Sequence, residues 1–359
     1  MAFSYLFGPV ASGRLGMSLG LDLLGRRVCS MDCLYCEVGR TEEMTVRRAP
    51  YVPARLLLAE LEQWREENTK FPDHVTLGGE GEPCLNSEME AIIHGCHRIL
   101  PGVPVAVLTN STLLADEAVR GELALADVVL PSLDSLVEHE FKTLNRPCGG
   151  LRAKDIAEAL LRFRHMFHGG IFLEILLAQG INDSEENLAL LVKYVQRLAP
   201  DRVDVTTLSR PGAYAAARAV DRDILTHWSA ILTTAAGLPA RTADGKGTLV
   251  DSASPGSDFG GGKDVPAATR PHGENQLGSG LIPRRDQATA TDMVARSLER
   301  RPQTASQLAH SLALPPEQVD AALSRLLLDG VVHRVGRTGM ETPTDSARTD
   351  TAEPFYSCQ

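Results

Sequence analysis

The chain has 359 residues, 43% hydrophobic and 23% charged, enough to bury a large core and to hold a main domain beside a smaller one. Residues 1–20 carry no basic stretch followed by a long apolar run, and no segment reaches membrane-spanning length, so neither a secretory signal nor membrane insertion is expected. The net charge of −10 excludes broad attraction to nucleic acid, which depends on Lys and Arg neutralising phosphates, and leaves only a local basic patch for that purpose.

Up to about Asp244, short apolar runs alternate with amphipathic stretches, the pattern of a parallel α/β sheet. The first strand is predicted over residues 18–23 and feeds Cys29-Ser-Met-Asp-Cys33-Leu-Tyr-Cys36. Three thiolates at this C-x3-C-x2-C spacing can hold three corners of a cubane iron–sulfur cluster and leave the fourth iron open. A structural zinc site would want a fourth ligand nearby, and the next cysteine is Cys84. Residues 55–66 read as a helix with Leu56, Leu57, Leu61 and Trp64 near one face. A strand over 74–77 ends in Gly78-Gly79-Glu80-Gly-Glu82-Pro, followed by a helix over 87–99. A strand over 105–108 ends at Thr109-Asn110-Ser111, and one over 128–130 ends at Pro131-Ser132-Leu133-Asp134. A helix over 154–163, a strand over 172–177, a helix over 185–198 and a strand over 203–206 complete the series, before Arg210-Pro-Gly.

Six strands that end in polar or glycine-rich turns predict an α/β fold, a (β/α)6 partial barrel, with chemistry at the C-terminal ends of the strands. That places the cysteine loop, Gly78-Gly79-Glu80, Asn110, Ser132 and Asp134 on one rim. Glu174 lies among apolar neighbours in the fifth predicted strand, where a carboxylate facing the interior needs a partner. Arg210 is expected to pair with it or with a ligand carboxylate, and both residues are candidate catalytic groups.

Beyond the barrel, assigned to residues 1–250, residues 251–282 turn rich in Gly, Ser, Pro and Asp and read as a linker. Residues 283–359 give three helical patterns (288–300, 304–312 and 315–328), then a strand over 331–335, a polar stretch over 340–351, and Phe355-Tyr356 as a returning strand. This is a winged-helix-like order. The helix expected to serve for recognition sets Glu317 and Asp320 against a single Arg325, poor chemistry for reading DNA. Each part carries its own apolar faces, so a chain ending near Thr248 is expected to retain the barrel's chemistry.

The cysteine run resembles the cluster loop of the radical S-adenosylmethionine (SAM) superfamily, written C-x3-C-x-aromatic-C, and Gly78-Gly79-Glu80 resembles its Gly-Gly-Glu motif. The resemblance implies a [4Fe–4S] cluster on Cys29, Cys33 and Cys36. It implies SAM held through its ammonium by Gly78, Gly79 and Glu80 or Glu82, with Tyr35 beside the adenine and Asn110, Ser132 and Asp134 near the ribose or carboxylate. Tyr5-Leu-Phe-Gly-Pro-Val, Gly-Glu-Gly-Glu-Pro-x-Leu-Asn86, Pro-Ser-Leu-Asp134 and Gly180-Ile-Asn-Asp are similar to a bacterial and archaeal group related to the tRNA wyosine-base synthases. Three further cluster cysteines of those synthases have no counterpart here: Cys84, Cys96, Cys148 and Cys358 are scattered. Ser111 stands where Thr-Asn-Gly is the common form. The implied function is reductive SAM cleavage and hydrogen abstraction from a tRNA base or a protein, with a flavodoxin- or ferredoxin-type electron donor. The scattered, odd-numbered cysteines fit a reducing cytoplasm. The alternative is an iron–sulfur redox regulator that binds DNA through the winged helix.

Overall fold

The computed structural model describes residues 3–239, 289–300, 302–312, 314–335 and 353–358. The predicted linker and the polar stretch 340–351 lie outside the described residues. In chain order the first elements are β1 (Leu6–Ser12), β2 (Gly16–Asp22), β3 (Val28–Cys29), β4 (Glu43–Met44), α1 (Ala54–Glu67), β5 (His74–Gly78), α2 (Met89–Ile99) and β6 (Val105–Thr109). There follow α3 (Glu117–Leu123), β7 (Val128–Pro131), α4 (Glu138–Asn145), α5 (Ala153–Met166), β8 (Gly170–Leu177), α6 (Glu185–Leu198), β9 (Arg202–Thr207) and α7 (Arg222–Ala235). The last are α8 (Ala290–Arg300), β10 (Gln303–Thr304), α9 (Ala305–Leu312), α10 (Pro316–Leu328), β11 (Val332–Val335) and β12 (Phe355–Cys358).

The main sheet has seven strands in the order β1-β2-β5-β6-β7-β8-β9. The six predicted strands are its parallel set, and together with their helices they form a curled α/β partial barrel of the radical SAM type. The seventh is the correction: β1 pairs antiparallel with β2, so the sheet opens on a hairpin rather than on residue 18. Strands near the middle are buried on both faces: Leu19, Leu21, Val75, Leu77, Val105 and Val107 share one face, and Ser18, Thr76 and Ala106 lie on the other. In β8 burial alternates instead. Ile171, Leu173, Ile175 and Leu177 pack against the helices, while Phe172, Glu174 and Leu176 share the other, half-buried face.

The helices cover the outside through single stripes. In α1, Leu57, Leu61 and Trp64 recur at helical spacing and are buried. α6 begins and ends as the sequence predicts: Ser184 caps its first turn by accepting from Asn187 N–H at 3.1 Å, and Glu185 and Glu186 sit at the positive end of the helix dipole. Residues of α8, α9, α10 and the antiparallel sheet β10-β12-β11 build a second apolar cluster around Val294, Leu308, Val319 and Leu323. Helix α9 also lies against β1 of the main sheet.

Candidate active site

The 31-residue stretch between β2 and α1 is held at both ends of its cysteine run. Cys29 closes β3, whose partner β4 returns alongside it. Further on, Leu34 N–H donates to Leu144 O at 2.9 Å and Asp32 N–H to Asn145 O at 3.2 Å, laying the loop along the end of α4. Two successive turns, Cys36 N–H to Cys33 O (3.2 Å) and Gly39 N–H to Cys36 O (3.3 Å), bring the last cysteine back towards the first two. The thiols lie close enough that burial is not the one cause of their raised pKa values. Burial comes first and pushes Cys29 up to about 12, with Glu82 and Cys36 adding to it, and Cys33 rises through burial, then Cys29 and Cys36. Two amides point N–H groups at sulfur: Asn110 Nδ2 at 3.4 Å from Cys29 Sγ and Asn145 Nδ2 at 3.6 Å from Cys33 Sγ.

The turn after β5 is built around its missing side chains. Gly79 has φ +109°, and a Cβ there would come within 2.2 Å of Asp22 Oδ1 and 2.7 Å of Asp22 Cα. Asp22 Oδ1 accepts from Glu80 N–H at 3.2 Å, so the end of β2 clamps the turn. Gly81 is tighter still, since its Cβ would fall 1.8 Å from the carbonyl oxygen of Val28, the residue before Cys29. Glu82 is fully committed inside the protein. It accepts from Cys84 N–H (3.1 Å), Thr109 Oγ1 (2.7 Å) and Asn110 N–H (2.7 Å), which oppose a pKa raised chiefly by burial. Of the two carboxylates in the turn, Glu80 is the half-buried one left at the rim.

A small recess opens beside the loop, walled by Met31, Leu133, Phe141 and Ile156 and edged by Tyr35, Asn110, Ser132, Asp134 and Asn145. Ser132 is positioned by its N–H to Thr109 O (2.9 Å), and its carbonyl accepts from Ser111 Oγ at 3.2 Å. That bond accounts for the serine in the place of the common glycine: Ser111 is buried at φ +67° and ties the ends of β6 and β7 together. Asp134 is not open to a ligand. Tyr35 Oη (2.5 Å) and Asn145 Nδ2 (2.7 Å) donate to one oxygen and Leu176 N–H (2.9 Å) to the other. Burial raises its pKa and these bonds oppose the rise; the Tyr35 phenol is pushed well up by burial and by Asp134. Asn145 is 3% exposed, and with its NH2 fixed on Asp134 its Oδ1 has no partner. Nothing in the helical pattern of the sequence marks Asn145, because its role depends on where the cysteine loop lands.

Glu174 and Arg210 do not meet. Glu174 is ion-paired with Arg14 from the β1–β2 turn, and Arg202 Nη1 donates to Arg14 O at 2.9 Å. Arg210 instead donates to Glu37 Oε2 at 3.0 Å, one residue past Cys36, and to Gln307 Oε1 of α9 at 3.2 Å. Cys84 and Cys96 are buried, Cys148 lies against the loop with its N–H on Ser30 O at 2.8 Å, and no disulfide is formed.

Residues 26–192 match the family model for the radical SAM superfamily. A UPF0026 protein of Synechocystis is 34% identical over 210 residues, spanning 58% of this chain and 77% of the relative. The chain belongs to the UPF0026 family. Residues 26–192 of this UPF0026 protein are thus its radical SAM domain, which contains the cysteine loop, the glycine turn, the recess and Glu174. A Brachyspira hyodysenteriae protein named GTPase Obg is 35% identical over 216 residues, but the chain spans only 32% of that protein's length. Among solved structures, Streptococcus suis SuiB bound to S-adenosylmethionine is similar at 16% identity and a TM-score of 0.46, covering 60% of this chain and 47% of that one.

The cofactors of a radical SAM domain are a [4Fe–4S] cluster and SAM, and the donor set fits them. Three sulfurs on one loop, with two amide N–H groups aimed at them, match the needs of a cluster that keeps one iron open. Among the described residues no three His, Cys, Asp or Glu side chains converge as they would on a single metal ion. No helix among them is long and apolar enough to cross a membrane.

Proposed function

We propose that this protein uses Cys29, Cys33 and Cys36 to hold the cluster and cleaves SAM reductively. The observation that carries this reading is the sulfur loop itself: three neighbouring thiols on one loop, with Asn110 bonded to Cys29 and Asn145 to Cys33. Once bound, the cluster and SAM would supply one-electron reductive cleavage of SAM to methionine and a 5′-deoxyadenosyl radical able to take a hydrogen atom from the substrate. The chain's own residues bind and orient. Asn110 and Asn145 polarise the sulfurs, Glu80 and the Gly78–Gly79 backbone face the ammonium, and the apolar wall of the recess excludes water. Ser132 offers a hydroxyl, and Asn145 Oδ1 is an acceptor waiting for a donor on the ligand. Asp134 acts behind them by fixing Tyr35 and Asn145.

Among the described residues, the C-terminal helices and three-stranded sheet support a winged-helix-like reading. Helix α10 brings its Arg325 already paired to Asp329 at 3.3 Å. This supports a protein or peptide substrate over the tRNA base that the wyosine resemblance implies, and it disfavours a DNA-binding regulator. The electron donor we infer is a small flavodoxin- or ferredoxin-type protein, and the seven free cysteines support a reducing cytoplasm. The test is anaerobic reconstitution with iron and sulfide, followed by dithionite, SAM and chromatography. Formation of 5′-deoxyadenosine by the wild type and its loss in the Cys29/Cys33/Cys36→Ala triple variant are expected. Recovery of about four irons in that variant would move the ligands elsewhere.

A further inference from the structure

The segment after β9 is a strap across the sulfur loop. Gly212 presses on it so closely that a Cβ would stand 2.8 Å from both Leu34 O and Tyr35 Cα. Tyr214 adds two bonds, N–H to Leu34 O (3.1 Å) and Oη to Asp32 Oδ2 (2.5 Å). Arg210, whose side chain is only 15% exposed, closes the far end by binding Glu37. The second arm of that guanidinium leaves the barrel and reaches Gln307 in α9. Gln307 is itself locked, since its Oε1 accepts from Thr304 N–H (3.1 Å) and its own N–H donates to Thr304 Oγ1 (3.2 Å).

The sheet order makes the position of α9 informative. β1 and β9 are the two free edges of the open barrel, and α9 lies on β1 while Gln307 holds the strap that follows β9. At the opposite end of the strands, Arg202 of β9 bonds the carbonyl of Arg14 in the β1–β2 turn. The opening is thus bridged at both ends, once by the barrel itself and once by the C-terminal helices.

We propose that Gln307 is a positioning residue for the sulfur loop: through Arg210 and Glu37 it couples the docked C-terminal helices to the segment that follows Cys36. The loop's rigidity then depends on a residue 97 positions after Arg210 in the chain. On this proposal a chain ending near Thr248 would lack that coupling. The description of the loop as a cluster site rests on the proposed function; the coupling does not.

Amide hydrogen exchange on the full-length protein tests it. Losing a hydrogen bond to a charged group predicts about tenfold faster exchange over residues 32–39 in Gln307→Ala. Gln307→Glu keeps an acceptor for Arg210 and should exchange like the wild type. Thr304→Val removes the cap of α9 but leaves the Arg210 bond, and should also leave the loop protected. Unchanged exchange in Gln307→Ala, or equal acceleration in Thr304→Val, would overturn the coupling. In reconstituted protein the cluster's midpoint potential should shift in Gln307→Ala and not in Thr304→Val. A wild type that takes up no cluster would refute the proposed function alone, and the exchange result would still decide the coupling.

Discussion

Asp134 and Ser132 stand two residues apart and do different things. In the sequence both look like ligand-binding residues at the end of a strand, since a carboxylate and a hydroxyl in a turn carry no sign of their partners. The structure commits both oxygens of Asp134 to Tyr35, Asn145 and Leu176 and leaves Ser132 on the recess. Asp134→Asn would set an amide N–H against a donor in either orientation and should cost about 1–3 kcal/mol in chemical denaturation. Ser132→Ala should leave stability nearly unchanged and weaken SAM binding in a titration of the reconstituted protein. The pH dependence follows from burial, which holds the Asp134 carboxyl above its ordinary range. The folded state therefore binds that proton more tightly than the unfolded chain. Its ionised form costs stability that is not lost below the unfolded pKa of about 4, and the cost grows as pH rises through the folded value. A stability–pH curve of Asp134→Asn that keeps the wild-type decline in this window would count against that assignment. Asn145 and Arg14 stayed invisible in the sequence for the converse reason: their partners, Cys33, Asp134 and Glu174, are supplied by distant segments.

The elements were legible wherever burial imposes a period. The six parallel strands and helices α1, α2, α5 and α6 follow from their apolar stripes, and their ends shift by only a few residues. Strand β1 escapes the pattern because an edge strand carries no such stripe; Leu6 is its one buried residue, and the rest are partly or fully exposed. Helices α3 and α4 are only seven and eight residues long, too short for two full turns of pattern to stand out. The sequence marks the glycine turn as a place for close approach, and at Gly79 the nearest neighbour is Asp22. Gly78, where a Cβ would find only Leu108 at 4.0 Å, has room. Gly78→Ala should therefore fold normally and report on SAM affinity. Gly79→Ala combines left-handed strain with the Asp22 clash and should lower stability by about 1–3 kcal/mol, read as a fall in melting temperature. Equal melting of the two variants would mean that Asp22 yields.

Across the whole molecule, the open sheet is drawn together by polar contacts rather than by strand pairing. Arg14 reaches from the first hairpin to Glu174 of β8, with side chains 34% and 17% exposed. A pair in this half-buried setting contributes more than a surface bridge, so Glu174→Gln should destabilise by about 1–2 kcal/mol. Adding Arg14→Met removes the stranded cation and should restore part of that loss in urea unfolding. If the double variant regains stability but not substrate turnover, Glu174 also touches the reacting molecule. Full turnover in the double variant would leave it a structural residue.

The carbonyl of Val28 sits where a side chain at residue 81 would be, and it also accepts from Glu82 N–H at 3.1 Å. The turn after β5 and the strand that delivers Cys29 are therefore two halves of one joint. Neither can be grafted alone. A chimera that borrows the cysteine loop from a relative must import the glycine turn with it, or its first sulfur will be delivered to the wrong place. Inheritance faces the same restriction as the engineer: these two segments, separated by a whole helix in the chain, can only drift as a pair.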